Sequence, residues 1–494
     1  MSTSFEMLLS ILLPLMFCIA CQAQQQRLMP QSDTWNSTYE VTQTRASGAN
    51  LTDAELHDIS VALNFERSNW ATGSVADDEF YTLPSNASSA PPGSVIKVQT
   101  YTNTSTYTLP PNTALSRIIF MTEDLNGTAV PASAYVLWPY LPRTQADGRY
   151  PLVTWGHGTS GGFAECGPSH IRNLWYQYSA PYALALAGYV VVAPDYRGLG
   201  INETANGKPI YHSYGAGQSA GVDLLYAAQA AQSAFPSISE NFIVMGHSQG
   251  GNAAWGAAVR QAQSPSAGYL GTIAGSPTTN YTAIIDFYSG NPIIPPQLQL
   301  LWANALRGLH PSFNLSAILT DTGIVRLTLA SELGMCNSAI GMLLPSGSST
   351  YVVQPDWLSV PELSSYLSFL DRGTQQEVAG PMLVLQGTLD PAVPEQITTA
   401  AVQSTCKLYP TSDIEYWLFA NVTHVPVLYA SQRLWLDWIA ERFAAADNAE
   451  DSNGAGSDGS CSMKNFTSGP MPSENYQTEL EYYLELATQG YQVA

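Results

Sequence analysis

The sequence contains three copies of the pattern Gly-x-Ser-x-Gly, which can present a serine hydroxyl on a tight turn between a strand and a helix. The copies span Gly158–Gly162, Gly217–Gly221 and Gly246–Gly250. A serine hydroxyl becomes a nucleophile when a neighbouring base takes its proton, and an acid must orient that base. The pattern therefore indicates a hydrolytic site, provided that the flanking elements fit.

Ser248 is the candidate nucleophile, because its neighbours predict the required strand, turn and helix. The apolar run Phe242–Met245 predicts a buried strand, and the small residues within Asn252–Ala262 predict a helix that can pack closely against it. A packed Gly-Ser turn without chemistry remains the alternative reading of the same pattern. The other residues of the predicted nucleophile elbow are Gly246, His247 and Gly250.

Ser219 and Ser160, in the other two copies, have less suitable surroundings. Ser219 follows a polar loop and is more simply the start of a helix through Val222–Ala231. Ser160 follows a strand, but the glycines and the proline after it do not begin a helix. Both serines remain second choices for the nucleophile.

His424 is the candidate base. The sequence has seven histidines, and only His424 lies beyond residue 378, where an inserted segment is predicted to end. It follows the predicted strand Ile414–Phe419, which suits the chain order of serine, acid and histidine in such sites.

Asp390 is the candidate acid, because it closes the apolar run that begins at Met382. A carboxylate at the carboxyl end of a buried parallel strand faces the same edge of the sheet as the elbow. The alternatives Asp371 and Asp413 precede strands, which would place them at the opposite edge.

The oxyanion of the transition state requires preorganised N–H donors. One expected donor is the backbone N–H of Gln249, the residue after the nucleophile. The other is the N–H of Gly158 or Thr159, in the loop after the first long parallel strand, where His157 is more simply structural. This chemistry requires no cofactor and no metal.

The elements that must position these residues alternate along the chain. Apolar strand-like runs separated by helix-length segments predict an α/β protein with a mostly parallel central sheet flanked by helices. Between residues 277 and 378 the alternation stops, and helical patterns predict an inserted cap or lid. The predicted runs are Val95–Val98, Leu115–Thr122, Ala132–Trp138, Leu152–Trp155, Tyr189–Ala193, Phe242–Met245, Thr272–Ala274, Met382–Leu385 and Ile414–Phe419, and the cap helices are Pro296–Leu306, Gly323–Leu333 and Val360–Phe369.

The start of the chain predicts export. Residues 7–20 are largely apolar but too few to span a bilayer comfortably, and small residues follow them. Glu6 and the lack of Lys or Arg before this run leave a membrane anchor as the alternative. The predicted segments are a signal peptide (1–23), a polar extension (24–90), the first part of the core (91–276), the cap (277–378), the second part of the core (379–444), and a linker with a C-terminal tail (445–494).

Composition supports an extracellular protein. Charged residues are only 12%, and the net charge of −21 disfavours nucleic acid and anionic membranes as partners. Four cysteines remain after the signal, Cys166, Cys336, Cys406 and Cys461, and they allow three disulfide pairings. Candidate N-glycosylation sites are Asn36, Asn50, Asn86, Asn103, Asn126, Asn202, Asn280, Asn314 and Asn465.

Several motifs together resemble the fungal and bacterial secretory lipase family of the α/β-hydrolase superfamily, over residues 91–443. They are Trp155–Thr159, Cys166–Ser169, Asp195–Gly200 and Gly246–Gly251, followed by the Asp390 and His424 segments. The resemblance implies the α/β-hydrolase fold, a helical cap over the pocket, and ester hydrolysis through an acyl-enzyme. It also implies the disulfides Cys166–Cys336 and Cys406–Cys461.

Two positions depart from the family pattern or complicate it. Arg197 stands where the family usually has an acidic residue, which affects the neighbouring pocket. Asn421 begins a glycosylation sequon three residues before His424, and we expect it to be unmodified or to point away from the site.

These features predict a secreted serine ester hydrolase, foremost a lipase acting at a lipid–water interface. An esterase for short-chain or polar acyl groups is the runner-up, and a peptidase is less favoured. A catalytically inactive binding protein is the alternative from another class. The predicted cap contains many apolar residues, which line an apolar pocket or form the packing core of the cap. These residues are Ile284, Phe287, Ile293, Leu298, Leu300, Leu301, Trp302 and Leu306.

Overall fold

The computed structural model describes residues 39–289, 296–343, 352–449, 459–467, 469–477, 481–482 and 485–486. The predicted signal peptide (1–23), Asn36 and Ile293 lie outside the described residues. Among the described helices, none combines the length and the apolar character needed to cross a bilayer.

Ten strands form one sheet in the order β1-β2-β3-β5-β4-β6-β7-β8-β9-β10. They are β1 (Val95–Gln99), β2 (Ala114–Glu123), β3 (Ala129–Trp138), β4 (Tyr150–Gly156), β5 (Val190–Pro194), β6 (Ile238–His247), β7 (Tyr269–Gly275), β8 (Met382–Gly387), β9 (Ile414–Phe419) and β10 (Cys461–Phe466). Strands β5, β4 and β6 to β10 pair in parallel, whereas β1 to β3 form an antiparallel start. The predicted mostly parallel sheet is therefore confirmed.

Helices cover both faces of this sheet. Those around the sheet are α3 (Pro181–Leu186), α4 (Gly217–Ala234), α5 (Gln249–Gln263), α11 (Glu395–Leu408), α12 (Pro426–Ala430) and α13 (Gln432–Ala449). On β6, Val244 packs in the cluster that contains the alanines of α4 and α5, while Ile243 and Met245 pack with Trp435 of α13. Burial on both faces explains why the strands appear in the sequence as continuous apolar runs.

The segment between β7 and β8 is helical, as predicted. Its helices are α6 (Tyr281–Ser289), α7 (Pro296–Leu309), α8 (Asp321–Leu333), α9 (Asn337–Met342) and α10 (Pro361–Asp371). Leu300, Leu301, Trp302 and Leu306 are fully buried in one core cluster. These four apolar cap residues therefore belong to the packed core, and they do not by themselves indicate an apolar pocket.

The polar extension contains two helices that its sequence pattern does not predict, α1 (Gln43–Gly48) and α2 (Asp53–Ser68). Thr52 and Glu55 form a capping box at the start of α2, and Ile59, Ala62 and Leu63 are buried. Their spacing is that of one apolar helix face, which the many polar neighbours obscured.

The C-terminal segment also departs from the predicted linker and tail. Helix α13 continues to Ala449, and β10 pairs in parallel with β9 along the edge of the sheet. The side chains of β10 are mostly exposed. An edge strand needs only backbone pairing on one side, so it can form without the apolar run by which the other strands were predicted.

Candidate active site

Ser248 lies on a strained turn between β6 and α5, with φ 59° and ψ −121°. A β-carbon added at Gly246 would lie 2.0 Å from the carbonyl oxygen of Gly250, and one added at Gly250 would lie 1.9 Å from that of Gly156. The glycines therefore allow β6, α5 and the end of β4 to approach more closely than side chains would permit. This is the strand–turn–helix geometry expected of a nucleophile elbow.

Asp390 and His424 form a direct pair after β8 and β9. His424 Nδ1 donates to Asp390 Oδ2 at 2.7 Å, and Gln386 Nε2 donates to the same oxygen at 3.1 Å. Asp390 Oδ1 accepts from the backbone N–H groups of Ala392 and Val393 at 2.9 and 2.8 Å. Burial raises the pKa of Asp390, but the charge and hydrogen bond of His424 and these backbone donors outweigh it and lower the pKa to about 2. The carboxylate is therefore ionised at neutral pH.

His247 connects the elbow to His424. The two rings lie with centroids 4.6 Å apart, and His247 Nε2 is 3.1 Å from the carbonyl oxygen of His424. Among the described residues no hydrogen bond joins the Ser248 hydroxyl to His424. In unliganded enzymes such contacts are often long and tighten when substrate binds. The structure thus pairs Asp390 with His424. It also places Ser248 directly after His247, whose ring packs against that of His424.

The loop after β4 carries the two candidate oxyanion residues, Gly158 and Thr159. His157 is fully buried, its Nδ1 is 2.8 Å from the carbonyl oxygen of Gly158, and Tyr196 donates to the carbonyl oxygen of His157 at 3.0 Å. Burial lowers the pKa of His157 to about 4, so the ring is neutral at pH 7. In a trans peptide the N–H points opposite to the C=O. The N–H groups of Gly158 and Thr159 therefore face away from these internal contacts.

Gln249 is the first residue of α5, where backbone N–H groups have no partner within the helix. Its side-chain Nε2 lies 2.8 Å from His212 Nε2, and His212 Nδ1 lies 3.2 Å from the carbonyl oxygen of Arg197. Burial lowers the pKa of His212 to about 3, so the neutral ring accepts from Gln249. The sequence does not predict a role for His212, because an isolated histidine in a polar loop carries no signal.

Neither alternative serine lies in a comparable setting. Ser219 is buried in α4, and the guanidinium of Arg197 donates to its hydroxyl. Ser160 is 1% exposed, its hydroxyl has no hydrogen-bond partner, and its carbonyl oxygen accepts from Asn337. A guanidinium cannot take the proton from a serine, so Ser219 lacks a base.

Arg197 is neutralised inside the protein. Its guanidinium lies 3.6 Å from a carboxylate oxygen of Asp223, and both side chains are buried. The Arg197 N–H also donates to Asp223 at 3.1 Å, and Thr122 donates to Asp223 at 2.6 Å. Burial raises the pKa of Asp223, and Arg197 opposes that shift. Arg197 therefore forms an internal ion pair and contributes no free charge to the pocket.

Two disulfides link the cap and the C-terminal strand to the core. Cys166 pairs with Cys336 at a Cα–Cα distance of 5.4 Å, and Cys406 pairs with Cys461 at 6.1 Å. Both pairings that the resemblance implied are confirmed. The first joins the chain after the oxyanion loop to the start of α9, and the second fixes the start of β10.

The sequons lie largely on the surface. Asn421 is exposed, has φ 62° and donates its N–H to Thr388 at 2.9 Å. Asn280 is half-buried and its side chain accepts from Ala283 at the start of α6. Glycosylation of any site stays a prediction. The other exposed sequon asparagines are Asn50, Asn103, Asn126, Asn202, Asn314 and Asn465.

The described part of the chain holds no group of three or more His, Cys, Asp or Glu side chains suited to a metal ion. The sequence also gives no sign of a role for Tyr176, whose hydroxyl lies 2.8 Å from His247 Nδ1. No motif marks this tyrosine, because its contact depends on how a loop more than seventy residues earlier in the chain folds back to the elbow.

Comparisons with known proteins agree with this architecture. Candida antarctica lipase A in its closed state is 19% identical, with a TM-score of 0.62 over 76% of this chain and 87% of that chain. The ligand-bound rice cell wall degrading esterase LipA from Xanthomonas oryzae is also 19% identical, with a TM-score of 0.51 over 66% of this chain and 91% of that chain. No curated protein sequence matches.

The sequence model of one family, described as secretory lipase, matches residues 176–451, which is more than half of the chain. The matched span contains the elbow and the Asp390–His424 pair. The chain therefore belongs to the secretory lipase family, with the α/β-hydrolase fold, and is a hydrolase of ester bonds.

Proposed function

We propose that the chain cleaves carboxylic esters through an acyl-enzyme, with Ser248 as nucleophile, His424 as general base and Asp390 as the acid that orients it. The observation that carries this proposal is the 2.7 Å contact between Asp390 and His424, at the same sheet edge as the strained elbow. An ionised Asp390 keeps the proton of His424 on Nδ1 and leaves Nε2 free to accept from the serine.

In the proposed reaction, Ser248 Oγ attacks the ester carbonyl while His424 Nε2 takes its proton. The N–H of Gln249 and that of Gly158 or Thr159 bind the resulting oxyanion. The bond to the leaving alcohol then breaks, and His424 gives the proton to that alcohol. Water repeats the sequence on the acyl-enzyme, which releases the acid and restores the serine.

Family membership and the rim of the site favour long-chain esters at a lipid–water interface. Phe287 is 50% exposed and Leu389 is 57% exposed. The hydroxyl of Tyr288 donates to the carbonyl oxygen of Pro391, so the end of α6 lies beside the loop that carries Asp390. Leu389 directly precedes the candidate acid, and the Phe287 ring packs against that of Tyr288, so both exposed apolar side chains suit an apolar substrate surface.

A short-chain or polar acyl ester is the second candidate, favoured by the burial of Leu300, Leu301, Trp302 and Leu306 in the packed core. Secretion after removal of residues 1–23 belongs to the same proposal. It is supported by the family and by two disulfides, which persist in oxidising compartments.

The test is hydrolysis of p-nitrophenyl esters from acetate to palmitate by the wild type, Ser248→Ala and the matched control Ser160→Ala. We expect Ser248→Ala to lose activity and Ser160→Ala to keep it. A preference for long chains with faster turnover on emulsions supports a lipase, and a preference for acetate or butyrate supports the second candidate. Full activity in Ser248→Ala would overturn the assignment, and an inactive wild type would favour a binding protein.

A further inference from the structure

The hydroxyl of Tyr176 lies 2.8 Å from His247 Nδ1, on the side of that ring opposite to His424. We infer that Tyr176 is a positioning residue that holds the candidate base His424 in place through His247. This inference rests on the proposed function and extends it to a residue with no part in the triad.

The direction of each hydrogen bond follows from the chemistry of the partners. The carbonyl oxygen of His424 can only accept, so His247 Nε2 must carry a proton. Burial lowers the pKa of His247 to about 3, and the neighbouring His424 adds to that shift, so the ring is neutral and holds one proton. His247 Nδ1 is then an acceptor, and the hydroxyl of Tyr176 donates to it.

We call the two hydrogen bonds from Tyr176 to His247 and from His247 to the His424 carbonyl oxygen the relay. The relay fixes the main chain of His424, while Asp390 fixes its ring. The carbonyl oxygen of His424 accepts from His247 at 3.1 Å, and His424 Nδ1 donates to Asp390 at 2.7 Å. If the Tyr176 hydroxyl is removed, His247 Nδ1 loses its donor, and the His247 ring is held less firmly in the plane that its Nε2 needs to reach the His424 carbonyl oxygen. The main-chain contact then weakens, and Asp390 alone positions His424 firmly.

The backbone around Tyr176 supports a role at the site. The four consecutive residues Leu174–Gln177 have φ of 53°, 51°, 67° and 38°, and none is glycine. Single non-glycine residues in this region are uncommon, and strained backbone concentrates at functional sites. Ser179 also donates to the hydroxyl of Tyr429, which links the same segment to α12, immediately after His424.

The hydroxyl of Tyr176 also lies against the oxyanion loop. A β-carbon added at Gly158 would be 2.0 Å from it. One hydroxyl thus contacts the loop that carries the candidate oxyanion donors and the relay that holds the candidate base. The position of this hydroxyl therefore sets the distance between the oxyanion loop and the candidate base His424.

The test is the Tyr176→Phe substitution, with Tyr182→Phe as the matched control. Tyr182 is a buried tyrosine close by in the chain, and its hydroxyl donates to the carbonyl oxygen of Thr108 at 2.5 Å. We expect Tyr176→Phe to lower kcat about tenfold with little change in KM, since only one hydrogen bond in the relay is lost. Tyr182→Phe should keep kcat within about twofold of the wild type.

A double-mutant cycle with His247→Asn separates positioning from general destabilisation. Because Tyr176 acts through His247, the double variant should be little worse than His247→Asn alone, whereas additive losses would overturn the inference. Nitrogen-15 NMR of the wild type gives an independent check that does not depend on folding of the variants. It should show neutral His247 with the proton on Nε2, and a proton on Nδ1 would contradict the relay.

Ser248→Ala separates a failure of the inference about Tyr176 from a failure of the proposed function. If Ser248→Ala is inactive and Tyr176→Phe behaves as Tyr182→Phe does, the inference about Tyr176 fails and the proposed function stands. If Ser248→Ala keeps its activity, the proposed function fails and the inference fails with it.

Discussion

Replacement of Asp390 by asparagine should abolish most of the activity by reversing the tautomer of His424. Asp390 Oδ1 accepts two backbone N–H groups, from Ala392 and Val393, whereas Gln386 supplies one longer donor to Oδ2. The single oxygen of an asparagine is therefore favoured in the Oδ1 position. The amide NH2 group then faces His424 Nδ1 in place of Oδ2. It can only donate there, so the proton of His424 moves to Nε2, which no longer accepts from Ser248.

The expected loss in kcat is about 10³–10⁴-fold, since the geometry is kept and only the tautomer is wrong. This corresponds to about 4–5.5 kcal/mol of transition-state stabilisation. The assay is kcat for a p-nitrophenyl ester at pH 7 to 8, with circular dichroism to confirm folding. Asp413→Asn is the matched control, because Asp413 precedes β9 at the opposite edge of the sheet. A loss below about tenfold in Asp390→Asn, or an equal loss in Asp413→Asn, would refute the reasoning.

Three further predictions concern stability. Gly250→Ala should destabilise the fold by roughly 3 kcal/mol in urea titrations, because its β-carbon would lie 1.9 Å from the Gly156 carbonyl oxygen; an unchanged midpoint would contradict this. Replacement of Cys166 and Cys336 together by alanine should lower the free energy of unfolding by roughly 2–5 kcal/mol. Wild type in which only this disulfide is reduced should have the same free energy of unfolding as the double variant. Burial raises the pKa of Glu66 from 4.5 to about 7, so its contribution to stability is full below pH 4.5 and falls as the pH rises to 7. Glu66→Gln should therefore flatten the dependence of the thermal unfolding midpoint on pH between 4.5 and 7. An equally steep dependence in the variant would count against this prediction.

The sequence predicted those parts of the site whose chemistry is tied to a motif or to chain order. Ser248 and Gln249 follow from the elbow pattern, and Asp390 and His424 follow from their places after β8 and β9. Burial of the sheet on both faces made those strands visible as apolar runs. The structure brings Asp390 and His424 together, and their catalytic roles stay a proposal.

The parts that the sequence did not predict depend on contacts between distant segments. Tyr176 and His212 hold His247 and Gln249 through side-chain hydrogen bonds, and neither lies in a pattern with fixed spacing. Helix α2 was missed because its apolar face is narrow and its other residues are polar. Strand β10 was missed because its stability comes from backbone pairing at an edge and from the disulfide Cys406–Cys461.

Backbone strain identifies the same edge of the sheet without reference to any motif. Four of the parallel strands, β5, β6, β7 and β9, are each followed within two residues by a non-glycine residue with positive φ, and the segment Leu174–Gln177 adds four more beside them. Elsewhere in the described chain, the non-glycine residues of this kind are Asn50 and Asn112. Asparagine tolerates this conformation at low cost, so Asn421 after β9 contributes less strain than the residues after β5, β6 and β7. Strain of this kind persists only where surrounding contacts enforce it, so its concentration at one edge argues that the edge is held in a fixed, functional geometry. The four residues that follow the strands are Tyr196, Ser248, Ser276 and Asn421.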